Sequence, residues 1–200
     1  MKYFFIHFTG KTYTMFGPGG EIPDIRDFRN LDESLGLAPR VAVELFKILE
    51  EKKASFEVSV HVNMFELYNA NVRDLMNTND VGKNQSLKIK LAEHSGSGMV
   101  EVNGAVVEQV QNAKELLAVF KRGAGNRTTA STLMNADSSR SHLITTMVCT
   151  LVNKRTGRAT KGKLALVDLA GSERVSKRSV KDDKAEQYHS LLRLNLCSSL

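Results

Sequence analysis

The sequence predicts an α/β fold in which a central mixed β-sheet is flanked by helices. Residues 56–64 alternate apolar with polar side chains, which is the period-two pattern of a strand. After Pro39, apolar residues recur at the spacing of one helical face, and residues 164–167 form a short apolar run typical of a buried strand. Helices and strands that alternate along a chain pack in layers around one core. The chain has 200 residues, 42% of them hydrophobic, so we expect a single domain over residues 1–200.

The first long elements are a helix and a strand. Pro39 fits the first helical turn, because the N–H that proline lacks has no partner within the helix there. The apolar face of this helix is formed by Val41, Leu45, Ile48 and Leu49. We expect the strand at residues 56–64 to bury its apolar side and to turn its polar side outward or toward a polar neighbour.

The middle of the chain combines loops with a strand and a helix. Residues 77–85 are rich in asparagine, aspartate and glycine and predict a loop, and residues 87–91 predict a short strand. Asn112 and Glu115 have the spacing of a capping box, so a helix is expected to begin there. Gly123 is the residue at which we expect this helix to end.

The last predicted strands are neighbours in one sheet. Residues 143–152 are β-branched and apolar, a polar turn follows, and residues 164–167 form the next buried strand. Residues 174–184 are charge-dense and predict an exposed loop before a final helix. The sequence contains neither an internal repeat nor a linker between two domains.

Composition argues against several classes of protein. Cys149 and Cys197 are too few and too far apart for a disulfide scaffold or a paired metal site, which favours a reducing compartment. No apolar run approaches the roughly twenty residues of a membrane-spanning helix. The net charge of +6 favours polyanionic partners. Signatures of nucleic-acid-binding modules are absent, so we expect neither a nucleic-acid nor a membrane partner.

Gly10, Lys11 and Thr12 match the end of a phosphate-binding loop. In such a loop, backbone N–H groups surround phosphate oxygens, the lysine reaches the terminal phosphates and the hydroxyl binds magnesium. The complete pattern begins with a glycine, and Phe5 occupies that position here. Taken alone, the tripeptide is also compatible with an ordinary turn that leads into a helix.

Residues 135–142 are a second candidate, since eight small or polar residues separate a predicted helix from an apolar strand. The adjacent hydroxyls of Ser138 and Ser139 are able to orient a water molecule or bind magnesium. Arg140 offers a planar charged fork for phosphate or carboxylate. A capped, solvated loop is the alternative interpretation of this segment.

Asp168 opens the third candidate segment, directly after the predicted strand at residues 164–167. Ligands of open α/β sheets bind at the carboxyl ends of strands, which suits a carboxylate that faces magnesium. Gly171 lets the backbone approach a γ-phosphate closely, and Glu173 is able to pair with an arginine of another loop. A simple turn at the end of a strand is the alternative.

Taken together, residues 10–15, 135–142 and 168–174 resemble the nucleotide-contacting elements of the kinesin motor domain, in the order found in that family. Residues 56–76 also resemble its pattern Asn-x-x-Glu-Leu-Tyr-Asn-x-x-Val-Arg-Asp-Leu. The similarity extends over about residues 9–175. It implies a P-loop NTPase-like motor fold that binds and hydrolyses ATP, with a microtubule as the partner that stimulates hydrolysis.

The resemblance also implies the ligands ATP and Mg²⁺ and the residues that bind them. Lys11 matches the residue that binds the β- and γ-phosphates. Thr12 and Ser139 match direct magnesium ligands, whereas Asp168 matches a residue that reaches the metal through water. The expected nucleotide-binding set is Gly10, Lys11, Thr12, Tyr13, Asn135, Ser138, Ser139, Asp168 and Gly171.

In the family, an arginine and a glutamate form a gate across the γ-phosphate, and Arg140 and Glu173 are the matching pair. Ser138 and Gly171 match residues that position the attacking water and the phosphate. Phosphoryl transfer depends mainly on positioning and charge stabilisation, so these four residues form the expected catalytic set. Loss of the γ-phosphate would then release both loops and change the microtubule-binding surface.

The microtubule is the partner that the resemblance implies, and a cytoplasmic, microtubule-associated location follows from it. The basic residues expected at that contact are Lys177, Arg178, Lys181 and Lys184. A solvated charged loop is the alternative for these four residues. Dimerisation is expected only through regions outside this chain.

Both ends of the chain depart from the family pattern. Kinesin motors normally have further strands before the phosphate loop, and residues 185–192 only approximate the family's helix after Val175. We therefore expect a partial motor domain. Residues 37–40, 140–144 and 162–164 resemble the minus-end-directed kinesins with a C-terminal motor.

Two alternatives to a working motor domain remain. Phe5 in place of glycine favours a non-catalytic remnant that binds microtubules without using ATP. The partial Gly-Lys-Thr motif and the basic surface would also fit an unrelated P-loop nucleotide-binding protein that does not bind tubulin.

Overall fold

The computed structural model describes residues 10–20, 22, 34–68, 71–77, 87–91, 100–134 and 141–170. The predicted final helix and the charged loop before it lie outside these residues. No helix in the described part of the chain has both the length and the apolar character needed to cross a membrane.

Three helices of the described residues form one layer of the fold. They are α1 (Lys11–Phe16), α2 (Leu37–Lys52) and α3 (Ala113–Met134), and a single 3-10 turn follows α1. The first helix contacts the second, and the second contacts the third. Each helix also contacts a strand, so the helices cover one face of a sheet.

The sheet layer is antiparallel throughout the described residues. In chain order the strands are β1 (Phe56–Tyr68), β2 (Asn71–Asp74), β3 (Lys88–Leu91), β4 (Val100–Asn103), β5 (Glu108–Val110), β6 (His142–Asn153) and β7 (Ala159–Asp168). The main sheet has five strands in the order β2-β1-β6-β7, with β5 paired to β1, whereas β3 and β4 form a separate pair. The predicted α/β class, with a central sheet flanked by helices, is confirmed.

Strand β1 is the centre of the core and continues beyond the predicted residues 56–64 to Tyr68. Val60, Val62 and Met64 belong to the main apolar cluster with residues of the helices. Phe65 belongs to a second cluster on the opposite side. The end of β1 is therefore covered on both faces, which positions its polar residues within the protein.

Helix α3 begins as predicted. The Glu115 N–H donates to Asn112 Oδ1 at 2.9 Å, and the Gln111 N–H donates to Glu115 Oε2 at 2.8 Å. The first bond is that of a capping box, whereas in the second Glu115 accepts the N–H of the residue before Asn112.

The predicted end of α3 at Gly123 is wrong, because the helix continues to Met134. A Cβ atom at residue 123 would lie 2.2 Å from Met64 Sδ, so glycine permits close packing of α3 on β1. Gly123 thus serves the contact between helix and sheet and does not stop the helix.

Two smaller expectations also need correction. Ile48 is 47% exposed, whereas Ala38, Ala42 and Leu49 are buried, so the core face of α2 is rotated from the predicted one. Strand β7 begins at Ala159 and only its end is buried. It is the last strand in the order of the described sheet and has one neighbouring strand there, which leaves its side chains less covered.

Candidate functional site

The segment from Gly10 to Tyr13 lies at the start of α1. Gly10 has φ 135°, a conformation that side-chain-bearing residues rarely adopt, and its carbonyl accepts the Thr14 N–H at 2.8 Å. No described atom lies within 4 Å of a Cβ built at Gly10, so the glycine is needed for its backbone conformation. Lys11 is half-buried, whereas Tyr13 is 56% exposed. The turn therefore presents its polar and aromatic side chains at the surface.

Asp168 lies at the carboxyl end of β7, as predicted, and is only 3% exposed. The Thr12 hydroxyl donates a hydrogen bond to Asp168 Oδ2 at 2.9 Å. This bond joins residues separated by 156 positions, so two of the three predicted segments meet in the fold.

The second carboxylate oxygen of Asp168 fits a hydrated metal ion. Oδ1 is buried and has no hydrogen-bond partner among the described residues. A buried acceptor without a donor is unfavourable, and a metal-bound water would supply that donor. Thr12 keeps its oxygen lone pairs while it donates to Oδ2, so its hydroxyl is also suited to bind Mg²⁺. These two residues therefore fit the predicted magnesium site.

Arg127 completes the described part of the site, although it belongs to none of the three predicted segments. It lies on α3, is 7% exposed, and its Nη1 is 3.2 Å from Asp168 Oδ2. Its Nε is 3.6 Å from Glu66 Oε1 of β1. Nη2 donates to the Ser141 carbonyl at 3.0 Å, just before β6. One guanidinium thus connects α3 with β1, with β7 and with the residue that precedes β6.

A pattern in the sequence predicts that Arg127 is buried. Leu116, Phe120, Gly123 and Arg127 follow one another at helical spacing, and all four are buried in the structure. A charged residue on an apolar helical face is rarely buried without a partner of opposite charge. The pattern therefore indicates a buried ion pair, but it does not identify Glu66 and Asp168 as the partners.

His142 links the ends of the second and third predicted segments. Its Nδ1 accepts the Ala170 N–H at 3.0 Å, so in the neutral imidazole the proton is on Nε2. Leu143, the next residue, is directly opposite Asp168 in the pairing of β6 with β7. The segment that ends at residue 142 is therefore adjacent to the turn that begins at Asp168.

The other predicted site residues lie outside the described part of the chain, and their roles remain predictions. They are Asn135, Ser138, Ser139, Arg140, Gly171, Glu173, Lys177, Arg178, Lys181 and Lys184. Phe5, at the position of the missing glycine, also lies outside it.

Comparison with known proteins gives a consistent result. Residues 6–199 match the family described as "Kinesin motor domain". Kinesin-like protein KIN-14I of Oryza sativa subsp. japonica is 36% identical over 169 residues, which are 84% of this chain and 12% of that protein. Kinesin heavy chain of Syncephalastrum racemosum is 37% identical over 179 residues, or 90% and 17% of the two chains.

A solved structure shares the fold. It is that of a fast kinesin, described with its ATPase mechanism and its interactions with microtubules. The TM-score is 0.71 at 33% identity, over 92% of this chain and 49% of that chain. This chain therefore spans about half of the solved structure and less than a fifth of the two curated relatives.

Proposed function

Since the chain belongs to the kinesin motor-domain family, we propose that it is part of a motor that hydrolyses ATP, binds microtubules and couples the two events. The observation that carries the proposal is the 2.9 Å hydrogen bond from Thr12 to Asp168. It brings the phosphate-loop hydroxyl to the carboxylate that the family uses near magnesium. Family membership excludes the alternative of an unrelated P-loop protein.

The chemistry of the site follows from the demands of phosphoryl transfer, which needs positioned groups and stabilisation of negative charge. Bound Mg²⁺ supplies positive charge next to the β- and γ-phosphates. Lys11 would add a second positive charge, and the oxygens of Thr12 and Ser139 would hold the metal. Asp168 would face the metal through a water, since its Oδ1 has no hydrogen-bond partner among the described residues.

The gate is the second part of the proposal. Arg140 and Glu173 pair across the γ-phosphate, while Ser138 and Gly171 position the attacking water. The 3.0 Å bond from Ala170 N to His142 Nδ1 supports this arrangement, since it holds the ends of the two segments together. Release of phosphate then frees both segments and alters the tubulin-binding surface.

The microtubule contact is assigned to a basic stretch that follows the gate glutamate, since tubulin offers an acidic surface. Its residues are Lys177, Arg178, Lys181 and Lys184. The protein is expected in the cytoplasm on the microtubule cytoskeleton. The chain spans less than a fifth of the two curated relatives, so its location and its partner are proposals.

A narrower proposal is membership of the minus-end-directed subgroup with a C-terminal motor. Its support is the similarity of residues 37–40, 140–144 and 162–164 to that subgroup. Sequence identity does not distinguish the subgroups, since this chain is 36% identical to KIN-14I and 37% identical to a kinesin heavy chain. Microtubule gliding driven by the full-length protein tests the direction, and plus-end-directed movement would exclude the subgroup.

Phosphate release in the presence and absence of microtubules tests the motor proposal. Microtubules are expected to accelerate release by the purified protein, and Glu173→Ala is expected to abolish the acceleration. Glu57→Ala is the matched control, because Glu57 is an exposed carboxylate on β1 that lies outside the proposed site. Equal rates for all three proteins would contradict the proposed gate.

A non-catalytic microtubule-binding remnant is the second candidate, and Phe5 in place of the first glycine favours it. Cosedimentation with microtubules that is unaffected by ATP, together with no detectable ATP binding, would support this candidate. ATP-dependent cosedimentation would instead support the motor.

A further inference from the structure

The chain reverses its direction directly after α1, in a turn that contains three glycines. Gly17, Gly19 and Gly20 have φ angles of 101°, 73° and 69°, which residues with a side chain rarely adopt. The Gly17 N–H donates to the Tyr13 carbonyl at 2.7 Å, and the Gly20 N–H donates to the Gly17 carbonyl at 3.0 Å. The turn at residues 17–20 is therefore closed by its own backbone and attached to the end of α1.

Gly20 lies against the methyl group of Thr12, near the beginning of α1. A Cβ atom built at residue 20 would lie 3.0 Å from Thr12 Cγ2, which is closer than the optimal separation of two carbon atoms. Apart from the neighbours of Gly20 in the chain, no other described atom lies within 4 Å of that Cβ. A side chain at residue 20 would therefore press on Thr12 and on no other described residue.

The methyl group and the hydroxyl of Thr12 move together. Both are attached to the same Cβ atom, so rotation about χ1 displaces both at once. The hydroxyl donates to Asp168 Oδ2 at 2.9 Å. Thr12 is an exposed residue, so few neighbours restrict its side chain. An atom that displaces the methyl group would therefore also move the hydroxyl away from Asp168.

We propose that Gly20 is a positioning residue for the Thr12 hydroxyl, the oxygen assigned to Mg²⁺. It acts through the absence of a side chain, which leaves the space that the Thr12 methyl group occupies when the hydroxyl faces Asp168. Gly20 belongs to none of the three predicted nucleotide-contacting segments. This inference rests on the proposed function, since it requires Mg²⁺ with a nucleotide to be the ligand of the site.

Gly19 provides a matched control for Gly20. Alanine at either position has a side chain at positive φ, with nearly equal angles of 73° and 69°. A Cβ atom at residue 19 would meet nothing within 4 Å, so Gly19→Ala adds the backbone strain without the contact with Thr12. If Gly20 only shapes the turn, both variants lose stability and neither changes the metal requirement of the folded protein. A positioning role changes that requirement in Gly20→Ala alone.

The experiment measures binding of N-methylanthraniloyl-ATP by fluorescence during a Mg²⁺ titration. In Gly20→Ala, the Mg²⁺ concentration at half-saturation is expected to rise about 10-fold, the lower end of the effect of losing a group that orients a metal ligand. In Gly19→Ala it is expected to stay as in the original protein. Binding in EDTA is expected to be equal in the two variants, because Gly20 acts through the metal ligand Thr12.

A Thr12→Ser background tests whether the methyl group transmits the effect. Serine keeps the hydroxyl but has no methyl group for residue 20 to displace. Relative to Thr12→Ser alone, the addition of Gly20→Ala is therefore expected to cause no further rise in the required Mg²⁺ concentration. Equal rises in the two backgrounds would overturn the positioning role. Equal Mg²⁺ requirements of folded Gly20→Ala and Gly19→Ala would overturn it as well.

NMR of the original protein without nucleotide decides the question if urea unfolding shows that Gly20→Ala is not folded. A nuclear Overhauser effect is expected between the Thr12 methyl group and the α-protons of Gly20, and its absence would overturn the inference. Absence of Mg²⁺-dependent nucleotide binding in the original protein would instead overturn the proposed function. The two failures are distinguishable, because the NMR contact is observed without metal or nucleotide.

Discussion

Replacement of Gly123 by alanine tests how closely α3 must approach the sheet. Alanine normally stabilises a helix interior by about 1 kcal/mol relative to glycine. Here the added Cβ would lie 2.2 Å from Met64 Sδ and 3.1 Å from Met64 Cε. Met64 is fully buried at 0% exposure, so its thioether can move only by repacking against its buried neighbours.

The magnitude follows from two opposing effects. Excess volume in a packed core destabilises a protein by about 1–3 kcal/mol, whereas the gain in helix propensity is about 1 kcal/mol. We therefore expect Gly123→Ala to lower the free energy of unfolding by about 1 kcal/mol. In a Met64→Val background the contact is removed, and the same change is expected to stabilise by about 0.5–1 kcal/mol.

Urea unfolding of the original protein, both single variants and the double variant measures this coupling. Gly125→Ala is the control, because Gly125 is in the same helix and is exposed, and its added Cβ would meet no described atom outside that helix's backbone within 4 Å. Stabilisation by Gly123→Ala in the original background, or strictly additive effects in the double variant, would refute the packing argument.

Three further predictions concern stability. Asp74 accepts hydrogen bonds from the Met76 N–H at 2.8 Å and from the Val106 N–H at 2.6 Å. Asp74→Asn places an amide N–H against one of these donors, so urea unfolding should show a loss of about 1.5–3 kcal/mol, and no loss would contradict the two contacts. His142→Ala removes the acceptor for the Ala170 N–H and should lower the free energy of unfolding by about 0.5–1.5 kcal/mol in the same assay. Burial raises the pKa of the Cys149 thiol above its ordinary value of 9.0. The folded protein therefore keeps a proton that the unfolded chain loses, and the free energy of unfolding should fall as pH rises from about 9 toward the folded pKa. Cys149→Ala should remove this part of the pH dependence, and an unchanged slope would contradict the assignment.

Local sequence patterns predicted those elements whose formation depends on nearby residues. The alternation at residues 56–64 identified β1, and the capping box at Asn112 identified the start of α3. Asp168 was expected at the end of a strand, and its bond to Thr12 brings two of the three predicted segments together. Each of these features depends on neighbouring residues or on a short motif whose residue types indicate its function.

Features that depend on distant partners were not predictable in the same way. A glycine late in an apolar helical pattern looks the same in the sequence whether it ends the helix or packs against a strand. At Gly123 the close approach of Met64 shows that the glycine packs against a strand. The role of Arg127 depends on the register that aligns Glu66, Leu143 and Asp168 across three strands. Periodicity gives the buried face of α3, but it does not give this register.

The close packing at Gly123 and the ion pairs of Arg127 have one geometric origin. From residue 123 to residue 127 a helix rises about 6 Å, and from residue 64 to residue 66 a strand advances about 6.7 Å on one face. Contact of Gly123 with Met64 therefore brings Arg127 to Glu66, one helical turn farther along. A side chain at residue 123 that moves α3 away from β1 should also move Arg127 away from Asp168. Gly123→Ala is thus expected to raise the Mg²⁺ requirement for nucleotide binding, and Met64→Val is expected to restore it.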